Sequence, residues 1–194
     1  MTERKRQKMK GRLIVISGPS GVGKGTLVKR LLSECKKLKL SVSATTRKPR
    51  SEDAEGVTYF FKTKDEFRSM IDESAFMEWA VYNDNYYGTP IAPVKEKLAE
   101  GYDVLLEIDV QGAMKVMEKC PDGIYIFIAP PSVETLRERL TGRGSESSEQ
   151  IEKRVAAAEE ELKLQDKYSY VVVNNVLDDA VEDIKKIIEG KDLL

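Results

Sequence analysis

Residues 18–26 read Gly-Pro-Ser-Gly-Val-Gly-Lys-Gly-Thr and follow directly on the apolar run Leu13–Ser17. A strand that feeds a glycine-rich turn into a helix aims backbone N–H groups and the positive end of a helix dipole at one point, where a polyphosphate can sit. The turn residues Gly18, Pro19, Ser20, Gly21, Val22 and Gly23 form that cradle, and Lys24 adds a mobile point charge for terminal phosphates. The pattern is G-x-x-x-x-G-K with one departure: Gly25 stands where a Ser or Thr usually follows the lysine, and the hydroxyl comes one place later, at Thr26. A second candidate is Ser43-Ala44-Thr45-Thr46-Arg47-Lys48-Pro49-Arg50. Its two arginines, three residues apart and stiffened by Pro49, form forks that fit a phosphate dianion, although a solvated basic loop reads the same way when taken alone.

These residues need a scaffold. Strand-like runs at 13–17, 104–108, 124–128 and 170–173, separated by long helical patterns, predict an α/β fold with a parallel sheet and helices on both faces. Between about 45 and 93 the texture changes to Tyr, Phe and Val in two strand-like stretches, 56–62 and 75–82, split by a helical stretch at 64–74. This predicts a small antiparallel α+β insertion, leaving residues 1–44 and 94–194 as the core. Within the core, the Gly-, Ser- and Glu-rich segment 142–150 has the composition of a mobile lid, placed at about 141–155.

The composition limits what the chain can do. It has 194 residues, 41% apolar and 34% charged, with a net charge of −1, so no overall field draws it to nucleic acid or to a membrane. No apolar run approaches the roughly twenty residues that span a bilayer. The first eleven residues are basic and polar without an apolar h-region, which reads as a disordered start or a basic arm rather than a signal peptide. The two cysteines, Cys35 and Cys120, lie far apart without metal-ligand spacing and fit a reducing cytoplasm. With no histidine anywhere, the chemistry must run without an imidazole.

Eight short motifs stand in order: the glycine-rich turn, S-x-T-T-R-x-P-R, Glu78-Trp79, Tyr86-Tyr87-Gly88-Thr89, D-x-Q-G from Asp109, Ala129-Pro130-Pro131-Ser132, G-R-G from Gly142 and V-x-N ending at Asn174. In order and approximate spacing they resemble the guanylate kinases over residues 11–188. The resemblance implies a P-loop core in which the insertion holds GMP. It gives the GMP phosphate to Arg47, Arg50, Tyr59 and Tyr87, and the guanine edge to Glu78, Asp109, Ser43 and Thr89. Guanine offers N1–H and an amino group as donors, and a carboxylate is an acceptor only. Tyr86 and Trp79 read as packing residues, Phe60 and Phe61 as anchors of the insertion, and Glu107 as a solvated or indirect carboxylate.

For the reaction the resemblance implies ATP + GMP ⇌ ADP + GDP. The attacking phosphate oxygen is already anionic, so no general base is needed, and the work is positioning and charge neutralisation. Lys24 serves the donor phosphates; Arg139, Arg143 and Arg154 swing in from the lid side; Asn174 stands on the adenine side. Mg²⁺ would travel with ATP and meet either the Thr26 hydroxyl or, through water, Asp109 or Glu107. Two rivals remain: a non-catalytic relative that binds a phosphorylated peptide through the same arginines and tyrosines, and a kinase of another small acceptor. The complete P-loop speaks against the first, and the paired acceptors Glu78 and Asp109 against the second.

Overall fold

A computed structural model describes residues 11–142 and 147–190. The central strand β1 (Leu13–Ser17) is buried throughout and is flanked by β7 (Asp103–Glu107) and β8 (Ile124–Ala129). Outside these lie β2 (Leu38–Leu40) and β9 (Tyr170–Val173), giving the order β2-β7-β1-β8-β9, and every pair is parallel. Because side chains alternate across a strand, Ile14 and Ile16 enter one core and Leu13 and Val15 the other. The first core is closed by α1 (Lys24–Glu34), α5 (Val133–Thr141), α6 (Ser148–Leu162) and α7 (Leu177–Glu189). The second is closed by α3 (Ile91–Glu100) and α4 (Val110–Lys119). The parallel α/β reading therefore holds. The strand β2 is not visible in the sequence, because three residues with one buried side chain carry no period.

The second sheet comprises β3 (Ser43–Thr45), β4 (Tyr59–Phe61), β5 (Phe76–Tyr82) and β6 (Asn85–Pro90), in the order β4-β3-β6-β5, with α2 (Lys64–Asp72) packed on it. It is mixed rather than purely antiparallel: β3 and β4 run parallel, since the chain between them loops back before pairing. The sheet also starts at Ser43, within the stretch that sequence texture assigned to the core. It has its own small core of Ala44, Phe67 and Phe76, with Phe60, Met70, Ile71 and Tyr86 against it. The Phe67 ring stacks on Phe76 at 4.3 Å and on Tyr86 at 5.2 Å, so Tyr86 packs as expected.

The lid segment is partly helix. Ser147 caps α6 in a reciprocal pair with Gln150, so residues 148–150 form the first turn of a helix, and their polarity is that of a capping box. Residues 143–146, which include the candidate Arg143, and the basic residues 1–10 lie outside the described residues. Among the described residues, no helix is long and apolar enough to cross a membrane.

Candidate active site

The glycine-rich turn expected to hold phosphate joins β1 to α1. Gly18 sits at φ 141°, and a Cβ there would lie 2.2 Å from the carbonyl oxygen of Ile128, so only glycine lets the loop leave the sheet this closely. Gly23 caps α1 at φ 92° with no side chain to satisfy the helix's first N–H groups, and no acidic residue occupies the first turn. The open N-terminus calls for an external anion. It faces a cleft of about 360 Å³ lined by Ser20, Gly21, Gly23, Lys24, Gly25, Thr26, Lys29 and Glu107. The Lys24 ammonium folds back to donate to the carbonyl oxygens of Gly18 at 2.5 Å and Pro19 at 3.0 Å. Burial lowers its pKa from the ordinary lysine value, against the opposing pull of Glu107, Glu161 and Asp109. Burial likewise raises the Glu107 and Glu161 carboxyls, and Lys24 partly restores them.

Of the arginines expected from the lid side, one contacts a cleft residue and a second stops one residue short of it. Arg154, on α6, donates to the Ser20 hydroxyl at 2.6 Å, and Arg139, on α5, donates to the Asn174 carbonyl at 2.9 Å. The Asn174 side chain is buried and donates to the Val22 carbonyl at 2.7 Å, so the carboxamide nitrogen is committed to the P-loop. The resemblance gives Asn174 to the adenine side; its bond to Val22, 152 residues away in the chain, leaves no local signal in the sequence.

The residues expected at the guanine edge come from β5, β6 and the turn between β7 and α4. Glu78 is 7% exposed on β5, and its Oε1 accepts the Thr89 hydroxyl proton at 2.6 Å. Asp109 caps α4 by accepting the Gly112 N–H at 2.6 Å. Gly112 lies between the two carboxylates: a Cβ there would be 3.2 Å from Oδ1 of Asp109 and 3.3 Å from Oε2 of Glu78. Burial raises the Glu78 carboxyl above the ordinary range, and the Asp109 charge adds to this. Lys115 and Lys119, one turn apart on α4, hold β5 in place. They donate to the carbonyls of Trp79 at 2.9 Å, Met77 at 2.7 Å and Phe76 at 3.2 Å, on both sides of Glu78. Neither lysine stood out in the sequence.

In the same second sheet, Tyr59 on β4 and Tyr87 on β6 flank β3 with ring centroids 6.1 Å apart. The Arg47 guanidinium lies over the Tyr59 ring at 5.3 Å and over Phe61 at 5.9 Å. Its fork is paired with Asp53, at 2.9 Å and 3.2 Å, and Asp53 also accepts the Arg50 backbone N–H at 2.7 Å. These hydrogen bonds hold the Asp53 carboxyl below the ordinary range. Asp53 escaped sequence reasoning because one acid in a polar loop carries no pattern. Ser43 starts β3 in register with Tyr59, and Arg50 is exposed on the adjoining loop; the last candidate, Thr26, lies in the first turn of α1 and lines the P-loop cleft.

The chain is similar to known proteins over most of its length. The sequence model of the guanylate kinase family matches residues 10–191. A guanylate kinase of Caldanaerobacter subterraneus subsp. tengcongensis is 58% identical over 181 residues, covering 93% of this chain and 88% of the relative. A guanylate kinase of Halalkalibacterium halodurans is 50% identical over 185 residues, covering 95% and 91%. The crystal structure of guanylate kinase from Anaplasma phagocytophilum superimposes with a TM-score of 0.72 at 31% identity, covering 93% of this chain and 85% of that one. A shikimate kinase structure from Bacteroides thetaiotaomicron, at 16% identity and TM-score 0.53 over 92% of this chain and 98% of its own, shares the fold. The chain belongs to the guanylate kinase family, as an enzyme of that family rather than a non-catalytic relative.

Proposed function

We propose the following division of labour for phosphoryl transfer from ATP to GMP in this guanylate kinase. Residues Gly18 to Thr26 hold the ATP phosphates, with the amides of the turn and the open N-terminus of α1 facing them across the cleft. On phosphate binding, the Lys24 ammonium exchanges its two carbonyl acceptors for phosphate oxygens. Arg154 is already at the cleft rim on Ser20, and Arg139 is one residue contact away, at Asn174. With Arg143 they neutralise charge on the equatorial oxygens as the lid closes, and closure keeps out water that would otherwise take the phosphoryl group.

The GMP phosphate takes the place of Asp53 on the Arg47 fork and meets Arg50, Tyr59 and Tyr87, while Ser43 completes the base contacts and Thr89, whose one hydroxyl proton goes to Glu78 rather than to the base, orients that carboxylate. A dianion offers more acceptor oxygens to this cage than one carboxylate does. The observation that carries the guanine reading is the pair of carboxylates across Gly112, both within 3.3 Å of one Cβ position, with Glu78 buried. Guanine N1–H and the amino group satisfy them; an acceptor without those donors leaves a buried carboxylate unpaired. Thr26 and Glu107 fit a Mg²⁺ ion that arrives with ATP. Both line the cleft, and a Cβ on Gly25 would be 3.6 Å from Oε1 of Glu107, so a carboxylate faces the place left by the missing hydroxyl. The ion would supply charge neutralisation at the β and γ phosphates. The two free cysteines fit work in a reducing cytoplasm.

Coupled detection of ADP release with GMP, AMP, CMP and UMP as acceptors tests this reading. Turnover confined to GMP and its deoxy form is expected. Comparable turnover of AMP would exclude the assignment of Glu78 and Asp109.

A further inference from the structure

Asn174 stands where the end of β9, the P-loop and α5 meet. Its backbone N–H continues the ladder to the Ala129 carbonyl at 2.8 Å, and its own carbonyl accepts from Arg139 at 2.9 Å. The residue is therefore fixed from both sides before its side chain acts. The side chain is 7% exposed and donates from Nδ2 to the Val22 carbonyl at 2.7 Å. The orientation of the carboxamide follows from chemistry, since only its nitrogen can donate to a carbonyl.

The consequence for the P-loop comes from peptide geometry. The Val22–Gly23 unit is planar and trans, so its C=O and N–H point in opposite directions. Holding the Val22 carbonyl against Asn174 turns the Gly23 N–H away from the protein interior and toward the cleft that Gly23 lines. The Gly23 carbonyl is meanwhile occupied by the first N–H groups of α1, from Thr26 at 3.1 Å and Leu27 at 3.2 Å. A Cβ on Gly23 would lie 2.7 Å from Nδ2 of Asn174, so the contact also explains why this position excludes a side chain, over and above its φ of 92°.

We propose that Asn174 is a positioning residue for the phosphates of ATP: by holding the Val22 carbonyl, it presents the Gly23 amide to the phosphate cradle. This rests on the reading that the cleft holds those phosphates. It differs from an adenine contact because it acts on a part of the nucleotide that carries no base.

The test uses inorganic tripolyphosphate, which has the phosphates without the adenine. Its Kd, with those of ATP and GMP, is measured by calorimetry for the parent chain, Asn174→Leu, Asn174→Ala and Lys24→Met. Asn174→Leu removes the donor at similar volume without adding a charge. Both Asn174 variants are expected to bind tripolyphosphate and ATP about tenfold more weakly, the loss of one well-aimed amide to an anion, with the GMP Kd within about twofold. Unchanged tripolyphosphate binding, whether or not ATP binding falls, would overturn the proposal. If tripolyphosphate fails to bind the parent, or is indifferent to Lys24→Met, the phosphate reading falls and takes this proposal with it; loss in Lys24→Met alone overturns only the role of Asn174. Should the Asn174 variants not fold, the Gly23 amide resonance of the unaltered chain decides. A clear shift on adding tripolyphosphate, with the Asn174 side-chain protons still protected from exchange, supports the proposal, and a Gly23 amide that does not respond overturns it.

Discussion

Thr89 donates its hydroxyl proton to Oε1 of Glu78 at 2.6 Å across the β5–β6 pair, leaving Oε2 beside Gly112. One contact thus fixes the plane of a buried carboxylate and turns its second oxygen toward α4, where Asp109 caps the helix. The proposed base-reading pair joins the second sheet to the start of α4, with Lys115 and Lys119 holding the strand that carries one member to the helix that carries the other.

The raised Glu78 carboxyl gives a pH prediction. Burial, and then the Asp109 charge, move it above the ordinary range, while the Thr89 hydrogen bond opposes the shift. Guanine's two donors need the charged form, so base affinity is complete above the raised pKa and is lost as pH falls through it, earlier than for an exposed carboxylate. The linkage to folding has the opposite sense: between the ordinary and the raised value the folded chain holds the extra proton, so this group's contribution to stability declines as pH rises across that window. Calorimetric titration with guanosine, which has no phosphate to titrate, should show weakening on the acid side. Thr89→Val should move the midpoint to higher pH; a midpoint that stays put would remove Thr89 from the account.

Lys24→Met tests the donor side. The ammonium interacts more strongly as charge builds toward the β–γ bridge, so its loss should lower kcat by about a thousandfold in a folded protein. The lowered pKa of Lys24 adds a second expectation, that ATP turnover declines on the alkaline side sooner than an ordinary lysine would dictate. Near-normal kcat in the variant, with its fold verified by circular dichroism, would exclude the P-loop assignment.

Phe67 is fully buried in the insertion's own core, stacked between Phe76 and Tyr86. Phe67→Ala should cost about 3–5 kcal/mol by removing a ring from a core too small to close over the gap. Because that core is separate from the two that pack on the main sheet, GMP affinity should fall much more than tripolyphosphate affinity. Equal losses on both sides would mean that the insertion and the main sheet unfold as one unit.

Motion follows from the same division. Addition of a bisubstrate analogue should reduce the radius of gyration measured by small-angle scattering, as the lid and insertion close on two nucleotides. An unchanged profile would sink the closure part of the account and leave the P-loop untouched.

Features that are contiguous in sequence were legible there, and those built by contact between distant segments were not. The P-loop could be read because strand, turn and helix follow each other within residues 13–34, and Glu78, Thr89 and the Arg47 segment because motifs carried them. The short strands β2 and β3, three residues each, were too brief to show a period. Asp53 became visible only once its loop folded back on Arg47, and the target of Asn174 lies 152 residues away, at Val22. The polar stretch read as a lid loop contains a helix cap, since Ser and Gln serve either purpose.

The most direct measurement is the kinetics of Glu78→Gln. The amide replaces one acceptor oxygen with an NH₂ that must face a donor, and flipping it moves the mismatch to the other contact. The account predicts a loss in kcat/KM for GMP of about 2–4 kcal/mol, roughly thirty- to a thousandfold, with the Kd of an ATP analogue within about threefold of the parent. Intact GMP turnover, together with phosphopeptide binding that Arg47→Ala abolishes, would contradict it.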